Sequence, residues 1–134
     1  MKNRILTVLV SIVFVMTMVM VISTQVSASN RSYTVTIGGA RYGLLLEANL
    51  ISSTTTKGTL SVDHISGPVL SLCEGNIITH AYDSSGNLLG SNTTFYEKYN
   101  VSSFYISATY VRSDGGIDHT ATSCIFMNRN YDCP

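Results

Sequence analysis

The chain has 134 residues, 45% of them hydrophobic and only 12% charged, and its formal net charge is zero at pH 7. A near-neutral chain is not expected to bind nucleic acid, which requires a basic face, or to bind anionic lipid electrostatically. The length fits one domain of ordinary size preceded by a leader.

The first 28 residues are typical of an export signal. A short positive start is followed by the almost wholly apolar residues 5–22, and Val26-Ser27-Ala28 then supplies the small residues that a signal peptidase recognises. We therefore expect an N-terminal signal helix and signal peptide in residues 1–28, and a single secreted, extracellular domain of residues 29–134. The alternative is a membrane-anchored protein that keeps residues 5–22, because a run of this length can span a bilayer.

From residue 33 onward, apolar and polar residues alternate in short runs separated by turn signals. Side chains alternate across a strand, so this period of two predicts about seven to eight strands. We interpret the pattern as all-β, a small antiparallel β-sandwich that is immunoglobulin-like in general architecture, with a small barrel as the alternative. The predicted strands cover residues 33–37, 42–51, 59–64, 69–74 and 77–82, extended residues 88–90 and 95–100, and the pair 104–111 and 120–127.

The clearest local pattern is a predicted hairpin over residues 104–127, with its turn at Ser113-Asp114-Gly115-Gly116. Glycine adopts positive φ at little cost, and aspartate can hydrogen-bond to the turn backbone. Residues 128–134 follow as a polar tail. The two strands of the hairpin each have a predicted core face. On the first strand it holds Phe104, Ile106, Ala108 and Tyr110, and on the second it holds Ala121, Ser123, Ile125 and Met127. Earlier turns are predicted at Gly38-Gly39, Gly67-Pro68, Gly75-Asn76 and Asp83 to Asn87.

Three cysteines, Cys73, Cys124 and Cys133, are disulfide candidates in an exported domain, and their odd number leaves one thiol over. On the chain-entropy model, closing about 51 residues between Cys73 and Cys124 contributes ~4 kcal/mol, and closing about nine between Cys124 and Cys133 contributes ~2.6 kcal/mol. Loop entropy thus favours Cys73–Cys124, and also Cys73–Cys133. Strand parity instead predicts that Cys73 and Cys124 lie away from the core faces. All three pairings, and three reduced cysteines, remain open at this point.

An aromatic cluster lies late in the chain, within residues 95–110. Odd and even positions both carry rings, so both faces of the predicted sheet should carry aromatic side chains. We expect Tyr96, Tyr99 and Tyr105 to form a binding surface, because an exposed tyrosine offers a stacking face and a hydroxyl to a protein or glycan partner. Half-buried sheet aromatics without a binding role are the other interpretation.

No catalytic residue, metal site or cofactor is predicted. The histidines are His64, His80 and His119, and no two of them have the spacing of metal ligands. Asp83 to Asn87 lacks the regular acidic ligands and the closing glutamate of an EF-hand calcium loop. The chain contains no G-x-S-x-G nucleophile elbow.

These patterns predict a small, exported, non-enzymatic β-sandwich that binds a protein or glycan at or outside the cell surface. Removal of the leader cations Lys2 and Arg4 leaves six basic and eight acidic residues, a net charge of about −2 that again disfavours nucleic acid. The alternative is a secreted effector such as a small toxin, bacteriocin or protease inhibitor. A small hydrolase, the third interpretation, would require a spatial cluster around His80 or His119.

Overall fold

The computed structural model describes residues 28–134. The predicted signal helix and the alternative anchor over residues 5–22 lie outside these residues. Across the described part of the chain, no helix is long and apolar enough to cross a bilayer. The predicted all-β class is confirmed by eight strands, which are β1 (Ala28–Ile37), β2 (Ala40–Ser52), β3 (Thr55–Ser66), β4 (Leu70–Tyr82), β5 (Leu88–Val101), β6 (Ser103–Val111), β7 (His119–Phe126) and β8 (Arg129–Cys133).

The strands form two antiparallel sheets of four, which we name sheet A (β1-β2-β3-β6) and sheet B (β5-β4-β7-β8). The two sheets bury their facing sides against each other in a β-sandwich-like arrangement, and the alternation of buried and more exposed positions is clearest along β2 and β7. Fully buried side chains from both sheets meet in one core. The largest of them are Tyr42, Phe126, Leu44, Leu46, Leu60, Ile77 and Val62.

The predicted hairpin over residues 104–127 is wrong, although both of its strands exist. β6 pairs with β3 in sheet A, whereas β7 pairs with β4 and β8 in sheet B. The connection does turn at Gly115 and Gly116, which both have positive φ. It then spans the two sheets, because Ile117 N donates to Ser53 O at 2.9 Å and Asp118 N donates to Tyr82 O at 2.8 Å. A glycine turn therefore predicted the change of direction correctly but not the partner strand.

Two further local predictions are corrected by the pairing. Gly75-Asn76 is no turn, because β4 continues through it and pairs with β5 and β7 on either side. The predicted polar tail of residues 128–134 contains β8, which follows a two-residue turn at Met127 and Asn128. Both turn residues have positive φ, at 48° and 62°, the geometry of a type I′ hairpin. No glycine marks this turn, so the usual sequence signal is missing.

The predicted facing of β7 is reversed. Its buried residues are Thr120, Thr122, Cys124 and Phe126, and the more exposed set begins at Ala121. Thr120 Oγ1 has a partner inside the protein, since it donates to His80 O at 2.7 Å, whereas Thr122 Oγ1 is buried without a hydrogen-bond partner. Phe126 is fully buried and packs against Tyr42, with ring centroids 5.9 Å apart.

Tyr42 forms hydrogen bonds to two of the connections that lead from one sheet to the other, β3–β4 and β5–β6. Its hydroxyl donates to Val101 O at 2.8 Å and accepts a hydrogen bond from Leu70 N at 2.8 Å. Val101 ends β5 and Leu70 begins β4, so one fully buried hydroxyl joins both connections. Nearby, His64 N donates to Ser102 O at 2.7 Å. The backbone groups freed at these crossings are thereby satisfied inside the protein.

A polar contact also joins the two sheets at the centre of the core. Thr79 Oγ1 on β4 accepts from Gly58 N at 2.9 Å and donates to Ala108 O at 2.8 Å. Gly58 and Ala108 are opposed in the β3–β6 ladder, so the hydroxyl bridges two strands of the other sheet. A Cβ on Gly58 would lie 2.4 Å from Thr79 Oγ1, which explains why this position is glycine.

Candidate functional site

The three tyrosines predicted as one binding surface occupy three different environments. Tyr96 is only 7% exposed and points into the core, where its hydroxyl donates to Ile125 O at 2.7 Å. Tyr99 is 66% exposed on β5 of sheet B, and Tyr105 is 56% exposed on β6 of sheet A. The structure therefore does not bring the three rings together, because period-two alternation and the split between sheets separate them.

Sheet B instead presents an apolar and aromatic outer face that Tyr99 shares with residues outside the predicted set. Phe95 is 77% exposed, and Leu72 lies directly across from Tyr99 in the β4–β5 ladder. Phe95, Tyr99 and Leu72 together give this part of sheet B an exposed apolar surface, and contiguous apolar surface is a feature of interaction sites. Phe95 belongs to the aromatic cluster that the sequence displays, but sequence alone does not separate it from the neighbouring, buried Tyr96.

A groove of about 450 Å³ runs beside Phe95 on this outer face. Its lining combines carboxylates, amides and apolar groups from β4, β5 and β7 and from the β7–β8 turn: Glu74, Gly75, Asn76, Phe95, Tyr96, Glu97, Ile125 and Asn128. Asn76 lies in the row between Phe95 and Ile125, and its Oδ1 is buried without a hydrogen-bond partner. A buried acceptor of this kind is unfavourable unless a donor reaches it.

Gly75 and Tyr96 make the base of the groove rigid. A Cβ on Gly75 would lie 1.9 Å from Ile125 O and 2.5 Å from the Tyr96 hydroxyl. The absence of a side chain therefore lets the Tyr96 hydroxyl pass β4 and reach the backbone of β7. Burial strongly raises the pKa of Tyr96, so the hydroxyl remains a neutral donor.

The electrostatic character of the groove is anionic. Glu74 and Glu97 are directly opposed in the β4–β5 ladder, and both are exposed. The Tyr99 hydroxyl donates to Glu97 Oε1, and this hydrogen bond raises the pKa of Tyr99. Like charges directly across a ladder are destabilising. The opposed Glu74 and Glu97 carboxylates therefore lower the stability of the fold.

His80 lies further along the same outer face. Its Nδ1 is 2.9 Å from Ser91 Oγ and its Nε2 is 3.2 Å from Ser123 Oγ. A cavity of about 280 Å³ beside it is also lined by Asp132 and Cys133. Burial lowers the pKa of His80, while the nearby Asp132 carboxylate acts in the opposite direction. Serine hydroxyls therefore contact both ring nitrogens, and with the nearby Asp132 they form a cluster of the His, Ser and Asp side chains that the hydrolase interpretation requires.

The other two histidines lie apart from the groove. His64 packs its ring edge-on against Tyr42 with centroids 5.3 Å apart. His119 stacks on Tyr82 at 5.1 Å, and its Nδ1 is 3.5 Å from Asp118 Oδ2. Between residues 28 and 134, no group of three or more His, Cys, Asp or Glu side chains is placed to hold a metal ion.

All three cysteines are buried free thiols, and the expected disulfide is not formed. Cys124 lies across from Ile77, four residues along β4 from Cys73, so the two Cα atoms are separated by at least about 13 Å. A disulfide requires Cα atoms within about 7 Å. Both side chains point into the core, contrary to the parity prediction. Cys133 lies diagonally from Cys124 on the buried side, opposite Thr122.

Burial also governs the chemistry of two thiols. It raises the pKa of Cys73 to about 11 and the pKa of Cys124 to about 12. At neutral pH both are protonated, and the thiolate is the nucleophilic form. They therefore act as small apolar core side chains.

No protein-family model, no curated protein and no solved structure matches the chain. Its function is therefore inferred from the geometry of the outer face and its surroundings.

Proposed function

We propose that the chain is an exported, non-enzymatic binding domain that acts at or outside the cell surface through the outer face of sheet B. The observation that carries the proposal is the 77% exposure of Phe95 beside a groove whose base is held by the Tyr96 hydrogen bond. An aromatic ring on a rigid sheet is a favourable anchor, since little conformational entropy is lost when a partner covers it.

The strand order supports the finer, immunoglobulin-like description of the fold. β2, β3 and β6 take the places of strands A, B and E, with B beside E. β5, β4, β7 and β8 take the places of C′, C, F and G in the second sheet, in the corresponding spatial order. β1 adds one strand beside strand A. Such a fold supports many functions, so the function is argued from the outer face rather than from the fold.

Export follows from the leader-like residues 1–28. Cleavage after Ala28 would keep almost all of β1, because Ser29 is already paired with Ala48 in the ladder. The mature N-terminus would then lie beside the C-terminal strand, where Ser29 Oγ is 3.2 Å from Cys133 Sγ. We therefore propose a secreted or surface-exposed location for the mature domain.

The chemistry of two buried thiols supports a binding role over thiol catalysis. The thiols of Cys73 and Cys124 are kept protonated by burial. The ring of His80 contacts a serine hydroxyl at each nitrogen, an arrangement that fixes the imidazole within a hydrogen-bond network.

The test is retention of the purified exported protein on cell-wall and secreted fractions of its producer and on an immobilised glycan panel. We expect retention by the native protein and at least a tenfold loss for Phe95→Ala/Tyr99→Ala. The matched control is Tyr105→Ala/Val111→Ala, which removes a similarly exposed aromatic and apolar pair from sheet A. Equal losses in the two double variants, or no retention of the native protein anywhere, would refute the proposal.

A further inference from the structure

The outer face of sheet B carries carboxylates without cationic counterparts. Glu74, Glu97 and Asp132 point outward there, and no lysine or arginine occupies an outward position of its paired strands. The neighbouring cation on β5, Lys98, faces the other way, with its Nζ 5.8 Å from the centroid of the Phe104 ring. Within residues 28–134, the one close contact between a basic and an acidic side chain is the 3.5 Å approach of His119 Nδ1 to Asp118 Oδ2. The groove carboxylates are thus unneutralised by the protein itself.

The exposed rings lie on either side of one of these carboxylates. Phe95, Glu97 and Tyr99 are at alternate positions of β5 and therefore share a face, with the two rings about 13 Å apart along the strand. Glu74 lies across from Glu97, between the same two rings. A cation is attracted both to carboxylates and to the face of an aromatic ring. The combination of rings and opposed carboxylates is therefore complementary to a cationic side chain.

We propose that the partner is an extended polypeptide that places a lysine or arginine side chain between Phe95 and Tyr99, with its cationic group on the Glu74 and Glu97 carboxylates. This inference rests on the proposed binding function and specifies its partner. Side chains paired across neighbouring strands form rows on the outer face, such as Glu74 with Glu97 and Asn76 with Phe95. Successive rows are about 6–7 Å apart along the strands, the same distance that separates alternate side chains of an extended peptide. When the peptide runs along the strands with a basic side chain at the row of Glu74 and Glu97, its side chain two residues further on lies at the row of Asn76 and Phe95.

The row beside the glutamates completes the fit to a polypeptide. Asn76 lines the groove, and its side-chain amide can exchange hydrogen bonds with the backbone of the bound segment. Ile125 extends the same row as an apolar contact. A neutral glycan could stack on Phe95 but would cover two carboxylates without neutralising them, and burying an unpaired charge is costly.

The test uses two fluorescein-labelled decapeptides of alternating lysine and threonine, one with free and one with acetylated lysines. Anisotropy titrations of the full exported protein should show at least tenfold tighter binding of the free-lysine peptide in 20 mM salt. Glu74→Gln/Glu97→Gln should reduce this preference to less than twofold. A matched control, Asp63→Asn/Asp114→Asn, removes the same charge from exposed positions elsewhere and should keep the preference.

Folding does not confound the glutamine variant, because the substitution removes a like-charge repulsion. Its urea midpoint should equal or exceed that of the native protein. Equal binding of both peptides, or an undiminished preference in the glutamine variant, would overturn the cationic partner. So would a neutral glycan whose binding needs Phe95 but neither glutamate. In that last case the Phe95→Ala/Tyr99→Ala retention loss would persist, so the binding function would stand while this inference failed.

Discussion

Removal of one hydroxyl, in Tyr42→Phe, is expected to destabilise the whole sandwich. The ring keeps its packing against Phe126, while Leu70 N and Val101 O each lose a partner at 2.8 Å. Val101 is 2% exposed, so its carbonyl cannot recover a hydrogen bond from water. Each buried group left unsatisfied costs about 1–3 kcal/mol, and we expect a total loss of about 3 kcal/mol in the free energy of unfolding.

For a domain of this size, such a loss lowers the melting temperature by about 10 °C or more. The assay is urea unfolding followed by far-UV circular dichroism, in which the midpoint should fall while the slope with denaturant stays unchanged. The matched control is Tyr110→Phe, because the Tyr110 hydroxyl makes a single long bond of 3.4 Å to Leu89 O. A loss below about 0.5 kcal/mol for Tyr42→Phe, or an equal loss for the control, would refute the role given to Tyr42.

Three further predictions concern the core. Gly75→Ala, whose Cβ would lie 1.9 Å from Ile125 O, should cost about 3 kcal/mol or more, whereas Gly43→Ala meets only a flexible side-chain carbon at 3.4 Å and should cost less than about 1 kcal/mol. Thr79→Val keeps the shape but leaves two backbone groups unpaired, so thermal unfolding should show a loss of about 2–3 kcal/mol. Above pH 9 the unfolded chain loses thiol protons that folded Cys124 keeps up to about pH 12, so stability should fall as pH rises. Cys124→Ala should reduce that slope.

Each of these core predictions has a contrary result. Similar losses for the two glycine variants would mean that close approach is not what requires Gly75. An unchanged Thr79→Val protein would mean that water replaces the bridging hydroxyl. Stability that is flat between pH 9 and 11, measured by urea unfolding, would mean that the thiols are exposed or already ionised in the folded protein.

Local pattern was sufficient where the chain pairs with its own neighbour. The turns at Gly38-Gly39 and at Asp83 to Asn87 join hairpins as predicted, because residues able to adopt positive φ or to hydrogen-bond locally are visible in sequence. The turn at Met127 and Asn128 carries no such signal, because it adopts the same left-handed geometry without glycine. Gly75 gives the opposite case, since the sequence signal of a turn is present but this glycine serves close packing.

The candidate site was only partly accessible to sequence reasoning. The aromatic cluster correctly drew attention to β5, and Tyr99 is exposed there. Alternation along β5 places Phe95 and Tyr96 on opposite faces of the strand, but it does not determine which of them faces the core. That depends on the glycine gap at Gly75 on the neighbouring strand, through which the Tyr96 hydroxyl reaches Ile125. The opposition of Glu74 and Glu97 likewise depends on register between strands.

The sequence by itself determined that the chain is all-β, because period two and turn residues are local properties of consecutive side chains. It also determined which residues of each strand share a face. Only the tertiary structure decided that β6 and β7 separate into different sheets, that Thr122 and Cys124 face inward, and that Cys73 lies far from Cys124. Pairing between distant strands is chosen by the whole core, whose packing and buried hydrogen bonds must be satisfied together.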